Sequence, residues 1–201
     1  MNSYALIDLH CDTLTDCMYT PGEDVDTLDD PKRVLSLRAL PKDVHWAQFY
    51  AVFIPDDIRG ADAVHYYEAN RSSFYRQMNK FHDRIMPCRG AADMERAWAS
   101  NRTAAFLTVE NGSVFAGDIR RVHQLAEDGV RAVTLTWNGE NEIGSGHVST
   151  HGLTAFGRSV VREMELENIL VDVSHLNDAG FVDLLEVAEK PFLATHSNAR
   201  A

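Results

Sequence analysis

Short apolar runs rich in β-branched and aromatic residues alternate along this chain with segments of helical periodicity. That alternation constrains the fold more than any other feature, because it is the pattern of repeated βα units and predicts a parallel sheet. The runs that read as strands are Tyr4 to Leu9, Ala47 to Ile54, Ala104 to Val109, Ala132 to Thr136, Leu170 to Val173 and Phe192 to Thr195. Helical spacing covers Asp62 to Arg84, Asp118 to Asp128, Ala155 to Glu167 and Ala179 to Ala188. Gly129 stands where a helix would stop, and Asn177-Asp178 offers a cap where one would start. Between the first two strands, Tyr19 to Asp43 carries three prolines and a cluster of acids and reads as a long exposed loop. With no internal repeat and no linker, the expectation is one domain over residues 1–201: an α/β fold of the (β/α)8 TIM-barrel type, represented by about six βα units.

Composition narrows the partners. At 201 residues and 45% apolar, the chain can bury one sizeable core. Its 30 acidic against 19 basic residues give a net charge of −11, which disfavours nucleic acid or an anionic membrane as the main partner. No stretch approaches the roughly 20 apolar residues of a membrane span, and Met1-Asn2-Ser3-Tyr4 does not open a basic-then-apolar leader, so a cytoplasmic protein is expected. Cys11, Cys17 and Cys88 are odd in number and lack metal-finger spacing, so they are expected as reduced thiols.

The residues that suit a metal fall at the C-terminal ends of the expected strands, where barrel active sites are built. His10 and Asp12 close the first strand in Asp8-Leu9-His10-Cys11-Asp12, and strand alternation points both the same way. An imidazole beside a carboxylate suits zinc, which takes nitrogen and oxygen donors together. Glu110 directly follows the apolar run Ala104 to Val109, a place where an unpaired buried carboxylate would be costly. His175 and His196 each end a later run. Any one of these could be a satisfied structural residue; the set, delivered by four separate strands to one end of a sheet, points to a metal centre.

At this point the chain resembles the membrane (renal) dipeptidases, zinc peptidases with an amidohydrolase-like barrel. The resemblance rests, in order, on Asp8-Leu9-His10-Cys11-Asp12, Gln48-Phe49-Tyr50-Ala51-Val52-Phe53, Glu110-Asn111-Gly112 and Leu135-Thr136-Trp137-Asn138. It continues through Gly152-Leu153-Thr154-Ala155-Phe156-Gly157, Asp172-Val173-Ser174-His175 and Thr195-His196-Ser197-Asn198-Ala199-Arg200. It implies two Zn2+ ions, with Mn2+ or Co2+ as alternatives: His10 and Asp12 on one, His175 and His196 on the other, and Glu110 bridging them as the catalytic carboxylate. The implied reaction is hydrolysis of a dipeptide, with a metal-bound hydroxide attacking the peptide carbonyl. The resemblance also implies tolerance of a D-residue at the C-terminal position and a homodimeric complete parent.

Two departures from the family pattern stand out. Where family members carry a histidine after the Leu-Thr pair, this chain has Trp137, expected as a packing residue or pocket wall. His147 or His151, in the Gly-rich loop Gly144 to Gly152, could take over the substrate contact or could be loop histidines; Asn138 and Asn141 could orient substrate or serve as turn residues. The second departure is length: a barrel of eight βα units takes about 250 residues, so the chain is expected to be a C-terminally truncated copy. The family's acid/base aspartate and substrate-binding arginine then have no assigned counterpart, Arg200 lying too close to the last strand. Two alternatives remain open: another amidohydrolase acting on N-acyl amino acids or cyclic amides, and a non-catalytic metal-binding fragment.

Overall fold

A computed structural model describes residues 4–16 and 27–198. In chain order its elements are β1 (Tyr4–Cys11), α1 (Thr13–Asp16), β2 (Val44–Phe53), α2 (Gly60–Lys80), β3 (Ile85–Pro87), α3 (Ala91–Ala99) and β4 (Thr103–Glu110). A 3-10 turn (Gly112–Phe115), α4 (Arg120–Glu127), β5 (Val130–Thr134), α5 (Ala155–Leu166), β6 (Leu170–Asp172) and α6 (Asp178–Val187) follow. The fold is α/β, the six strands among the described residues forming a parallel sheet of barrel type in the order β1-β2-β4-β5-β6 with β3 on β4. The chain divides into two compact units, Met1–Val52 with Glu68–Thr108, and Phe53–Tyr67 with Val109–Ala201.

In the first unit β1 pairs in parallel with β2, from Tyr4 opposite Val44 to Asp8 opposite Gln48, before a register shift carries Cys11 opposite Tyr50. Every β2 residue from Ala47 to Val52 is buried, as expected of a parallel strand covered on both faces. Phe49 meets Phe106 of β4 with ring centroids 4.8 Å apart, and Tyr50 meets Phe74 of α2 at 6.3 Å. Phe74, Met78 and Phe81 are buried at a spacing of three to four, which is the helical stripe legible in the sequence.

In the second unit the ends of β2 and β4 stay joined, Ile54 N–H donating to the Glu110 carbonyl at 3.0 Å. Asn111 N–H reaches the Thr134 carbonyl at the end of β5, and β5 pairs with β6 from Ala132 opposite Leu170 to Thr134 opposite Asp172. Helix α4 buries Val122, Leu125 and Ala126, and α5 buries Val160, Val161 and Met164. Thr154 caps α5 by accepting from Gly157 N–H, and Asn177 caps α6 by accepting from Gly180 N–H. Gly129 follows α4 at φ 93°, a left-handed conformation that ends the helix as the sequence suggests.

Several boundaries differ from the sequence expectation. The run Phe192 to Thr195 is no full strand: it keeps one parallel bridge, Leu193 to Asp172, and then turns. The sixth strand is instead β3, a three-residue piece that, with α3, lies in a stretch assigned no element from the sequence. Helix α2 stops at Lys80 rather than Arg84, because Arg84 and Ile85 both donate back to the Phe81 carbonyl as the chain tightens into β3. Of the expected loop, residues 19–26 lie outside the described residues. Its remainder is irregular but not wholly exposed, since Leu28 is fully buried and its N–H donates to Gln77 Oε1. Cys17 and Arg200 also lie outside the described residues. Among those described, Cys11 and Cys88 are free thiols, and no helix is long and apolar enough to cross a membrane.

Candidate metal centre

The second unit brings together three of the residues singled out from the sequence. Glu110 ends β4 with only 3% of its surface exposed, and its Oε1 lies 2.9 Å from His175 Nε2 and 3.6 Å from His196 Nε2. The two Nε2 atoms are themselves 2.8 Å apart. Three ligand-type atoms, two imidazole nitrogens and one carboxylate oxygen, thus converge on one place. That donor set suits zinc or a similar divalent ion.

Local backbone geometry aims these side chains. Glu110 is followed by Asn111 at φ 91°, ψ 112°, and His175 itself sits at φ 67°, both costly for residues with a Cβ. The Asn111 conformation is held from every side. Its amide nitrogen donates to the Ile54 carbonyl at 2.9 Å and to Asp56 Oδ1 at 3.2 Å. Its amide oxygen accepts from Ser113 N–H, the Ser113 hydroxyl and the Asn141 amide. Gly112 comes next, and a Cβ there would lie 2.6 Å from the Leu135 carbonyl oxygen, so only glycine lets β4 end against β5 this closely.

Asp56 is the part of this arrangement that sequence reasoning missed. Its Oδ1 receives Asn111 while its Oδ2 accepts the Gly139 N–H at 2.7 Å, tying the exit of β4 to the exit of β5. Arg59 adds a second tie, donating to the Ser113 hydroxyl at 2.6 Å and to the Glu140 carbonyl at 2.5 Å, 3.7 Å from Asp56. Pro55-Asp56-Asp57 has the look of an ordinary turn, and nothing local marks its carboxylate as a clamp.

The second pair stands in the first unit. His10 Nε2 lies 3.3 Å from Asp12 Oδ1, with 14% of the imidazole exposed, and the His10 N–H donates to Asp8 Oδ1. The expected His-x-Asp pairing is therefore formed, within and just after β1. Cys11 between them is desolvated by burial, which pushes its thiol up to about 12.

Around the Glu110 cluster, Trp137 packs edge-on against Phe53 with centroids 4.9 Å apart and lies 6.4 Å from the His175 ring. His147 is exposed and stacks towards His175, also at 6.4 Å. His151 points elsewhere: it is 79% exposed and 3.7 Å from Glu140. Asn141 serves as a turn residue, its amide donating to Asn111 and the Leu135 carbonyl and accepting from Ile143 and Gly144 N–H. Asn138 contributes its carbonyl, which accepts from Val148 N–H. The Gly144 to Gly152 loop is pinned rather than loose: Asn177 donates to the Ser149 and His151 carbonyls, and a Cβ on Gly146 would collide with the Trp137 carbonyl at 1.9 Å.

Comparison with known proteins bears on this geometry. The sequence profile of the membrane dipeptidases (peptidase family M19) matches residues 1–201. A dipeptidase of Claviceps purpurea, tcpJ, is 29% identical over 98% of this chain and 48% of its own length. An uncharacterized protein of Klebsiella pneumoniae, from the pqqA 5' region, is 33% identical over 59% of this chain and 46% of its own. The chain thus spans about half the length of these curated relatives. Among solved structures, a metallo peptidase from Rhodobacter sphaeroides, liganded with a phosphinate mimic of the dipeptide L-Ala-D-Ala, superposes with a TM-score of 0.84. It is 21% identical, over 98% of this chain and 66% of that one, and so shares the fold.

Proposed function

Because the chain belongs to the membrane dipeptidases, peptidase family M19, we propose that the protein is a metal-dependent dipeptidase whose His10, Asp12, Glu110, His175 and His196 hold two zinc ions. The observation that carries this reading is the convergence of Glu110 Oε1 with the Nε2 atoms of His175 and His196. Bound there, the cations would polarise the scissile carbonyl and lower the pKa of water towards neutrality. The dipeptidase name of the Claviceps relative and the dipeptide mimic in the Rhodobacter structure favour a dipeptide as the substrate.

The chain's own residues have separable tasks in this proposal. Glu110 offers two carboxylate oxygens, enough to serve two ions, and its burial keeps those oxygens out of competition with bulk water. His175 and His196 supply nitrogen donors from two separate turns, so the cluster forms only when both turns are folded. Trp137, braced by Phe53, gives the substrate an apolar wall, and exposed His147 beside His175 is the residue best placed to contact the substrate's polar end.

A substrate panel tests the proposal. The full-length protein, loaded with zinc, should hydrolyse L,L- or L,D-dipeptides in preference to N-acetyl amino acids and cyclic amides. Activity confined to acylated or cyclic amides would replace dipeptidase with another amidohydrolase function, and zinc binding without any amide hydrolysis would make the protein a pseudoenzyme.

A further inference from the structure

We infer that Asp172, acting through the Thr195 hydroxyl, holds His196 in the tautomer that carries its proton on Nδ1 and therefore presents the Nε2 lone pair to a cation. Asp172 ends β6 and is 2% exposed. Its Oδ1 accepts from Ser174 N–H at 3.1 Å, the Ser174 hydroxyl at 3.0 Å and Thr195 N–H at 3.1 Å. Its Oδ2 accepts from the Thr134 hydroxyl at 2.6 Å and the Thr195 hydroxyl at 2.7 Å. One carboxylate therefore gathers the turn before His175 and the turn before His196.

The tautomer follows from counting protons. A carboxylate only accepts, and a threonine hydroxyl has a single proton, which Thr195 spends on Asp172. Thr195 Oγ1 also lies 2.8 Å from His196 Nδ1, and towards that nitrogen it can only accept. His196 Nδ1 is then the donor, and the ring's lone pair sits on Nε2, the atom that faces His175 and Glu110. Ser174 reinforces the arrangement: its hydroxyl donates to Asp172 and accepts the His196 N–H at 3.1 Å. Partners of this kind, one bond removed from a ligand, orient imidazoles at metal sites and raise their affinity. Asp172 and Thr195 are thus positioning residues; the inference rests on the proposed metal centre only for the use made of the lone pair.

Asp172→Asn reverses the relay without changing its shape. The amide oxygen would stay with the two backbone N–H donors, placing the amide nitrogen against Thr195, whose hydroxyl must then accept and is free to donate to His196 Nδ1. Nitrogen-15 NMR of the imidazoles in the metal-free full-length protein reads the tautomer directly, and zinc titration reads its consequence. The wild type should show His196 protonated on Nδ1. Asp172→Asn and Thr195→Val should move that proton towards Nε2 and weaken zinc binding about 10- to 100-fold, while Thr195→Ser should behave as wild type. Should Asp172→Asn fail to fold, the wild-type spectrum and the Thr195 pair still decide. A wild-type His196 protonated on Nε2, or unchanged tautomer and affinity in Thr195→Val, would overturn the inference. A protein with the Nδ1 tautomer and the reversal, yet inert towards dipeptides, would support it while ending the dipeptidase reading.

Discussion

His175 and His196, 21 residues apart in sequence, bring their Nε2 atoms within 2.8 Å of each other. At that distance one ring nitrogen donates to the other in the metal-free protein, and with the Glu110 carboxylate alongside, the two nitrogens make a natural seat for a cation. Replacing His175 by Ala or Glu110 by Gln should lower zinc affinity by more than the roughly 10- to 100-fold typical of losing a partner one bond removed from a ligand. Isothermal titration of metal-free protein checks this, and unchanged zinc affinity in both variants would remove these residues from the centre.

Asp56 holds the exits of β4 and β5 together through Asn111 and Gly139. Asp56→Ala should cost about 1.5–3 kcal/mol of stability, the range for hydrogen bonds to a charged group, and should weaken zinc binding because Asn111, next to Glu110, loses one of its ties. Denaturant unfolding and zinc titration of the same variant separate the two effects. A variant as stable as wild type would show that the clamp is dispensable.

Glu110 can be found in the sequence because a carboxylate directly after the run Ala104 to Val109, apolar but for Thr108, demands an explanation, and His10 with Asp12 because strand alternation points them the same way. Asp172 stood in a recognised motif, yet its role depends on Thr134 and Thr195, which no local pattern associates with it. Asp56 was hidden for the same reason. Strand β3 was missed because three residues ending in proline carry no periodicity, and α3 because it buries only Ala97. The last expected strand was over-read: Phe192 to Thr195 has strand-like residues, but after Leu193 the backbone is captured by the Asp172 side chain rather than by a neighbouring strand.

On the surface, His123 of α4 bonds Glu167 at 2.8 Å, and this hydrogen bond, then the charges of Glu167 and Glu127, raise its pKa above the ordinary 6.5. A group whose pKa is raised by folding stabilises the fold fully below its unfolded value and loses that contribution as pH climbs through the raised one. The stability difference between wild type and His123→Ala should therefore be greatest below the ordinary histidine value of 6.5 and fade as pH rises above it. Urea unfolding across that range measures it, and a difference independent of pH would refute the pairing.

Cys88 is 3% exposed, and burial pushes its thiol up to about 11. Since the thiolate is the reactive form, Cys88 should resist iodoacetamide at pH 8 in the native protein and react once the chain is unfolded. Mass spectrometry of the peptide containing Cys88 checks this; rapid native labelling would contradict the burial.

If His10, Asp12, Glu110, His175 and His196 hold the metal of a dipeptidase, hydrolysis must follow the metal content. The most direct measurement is dipeptide hydrolysis by the full-length protein after chelator treatment, followed through a zinc titration with bound metal counted at each step. Without metal there should be no hydrolysis, and recovery should saturate as two zinc ions bind per chain, with Glu110→Gln failing to recover. Hydrolysis that survives complete removal of metal, or that returns equally in Glu110→Gln, would contradict it.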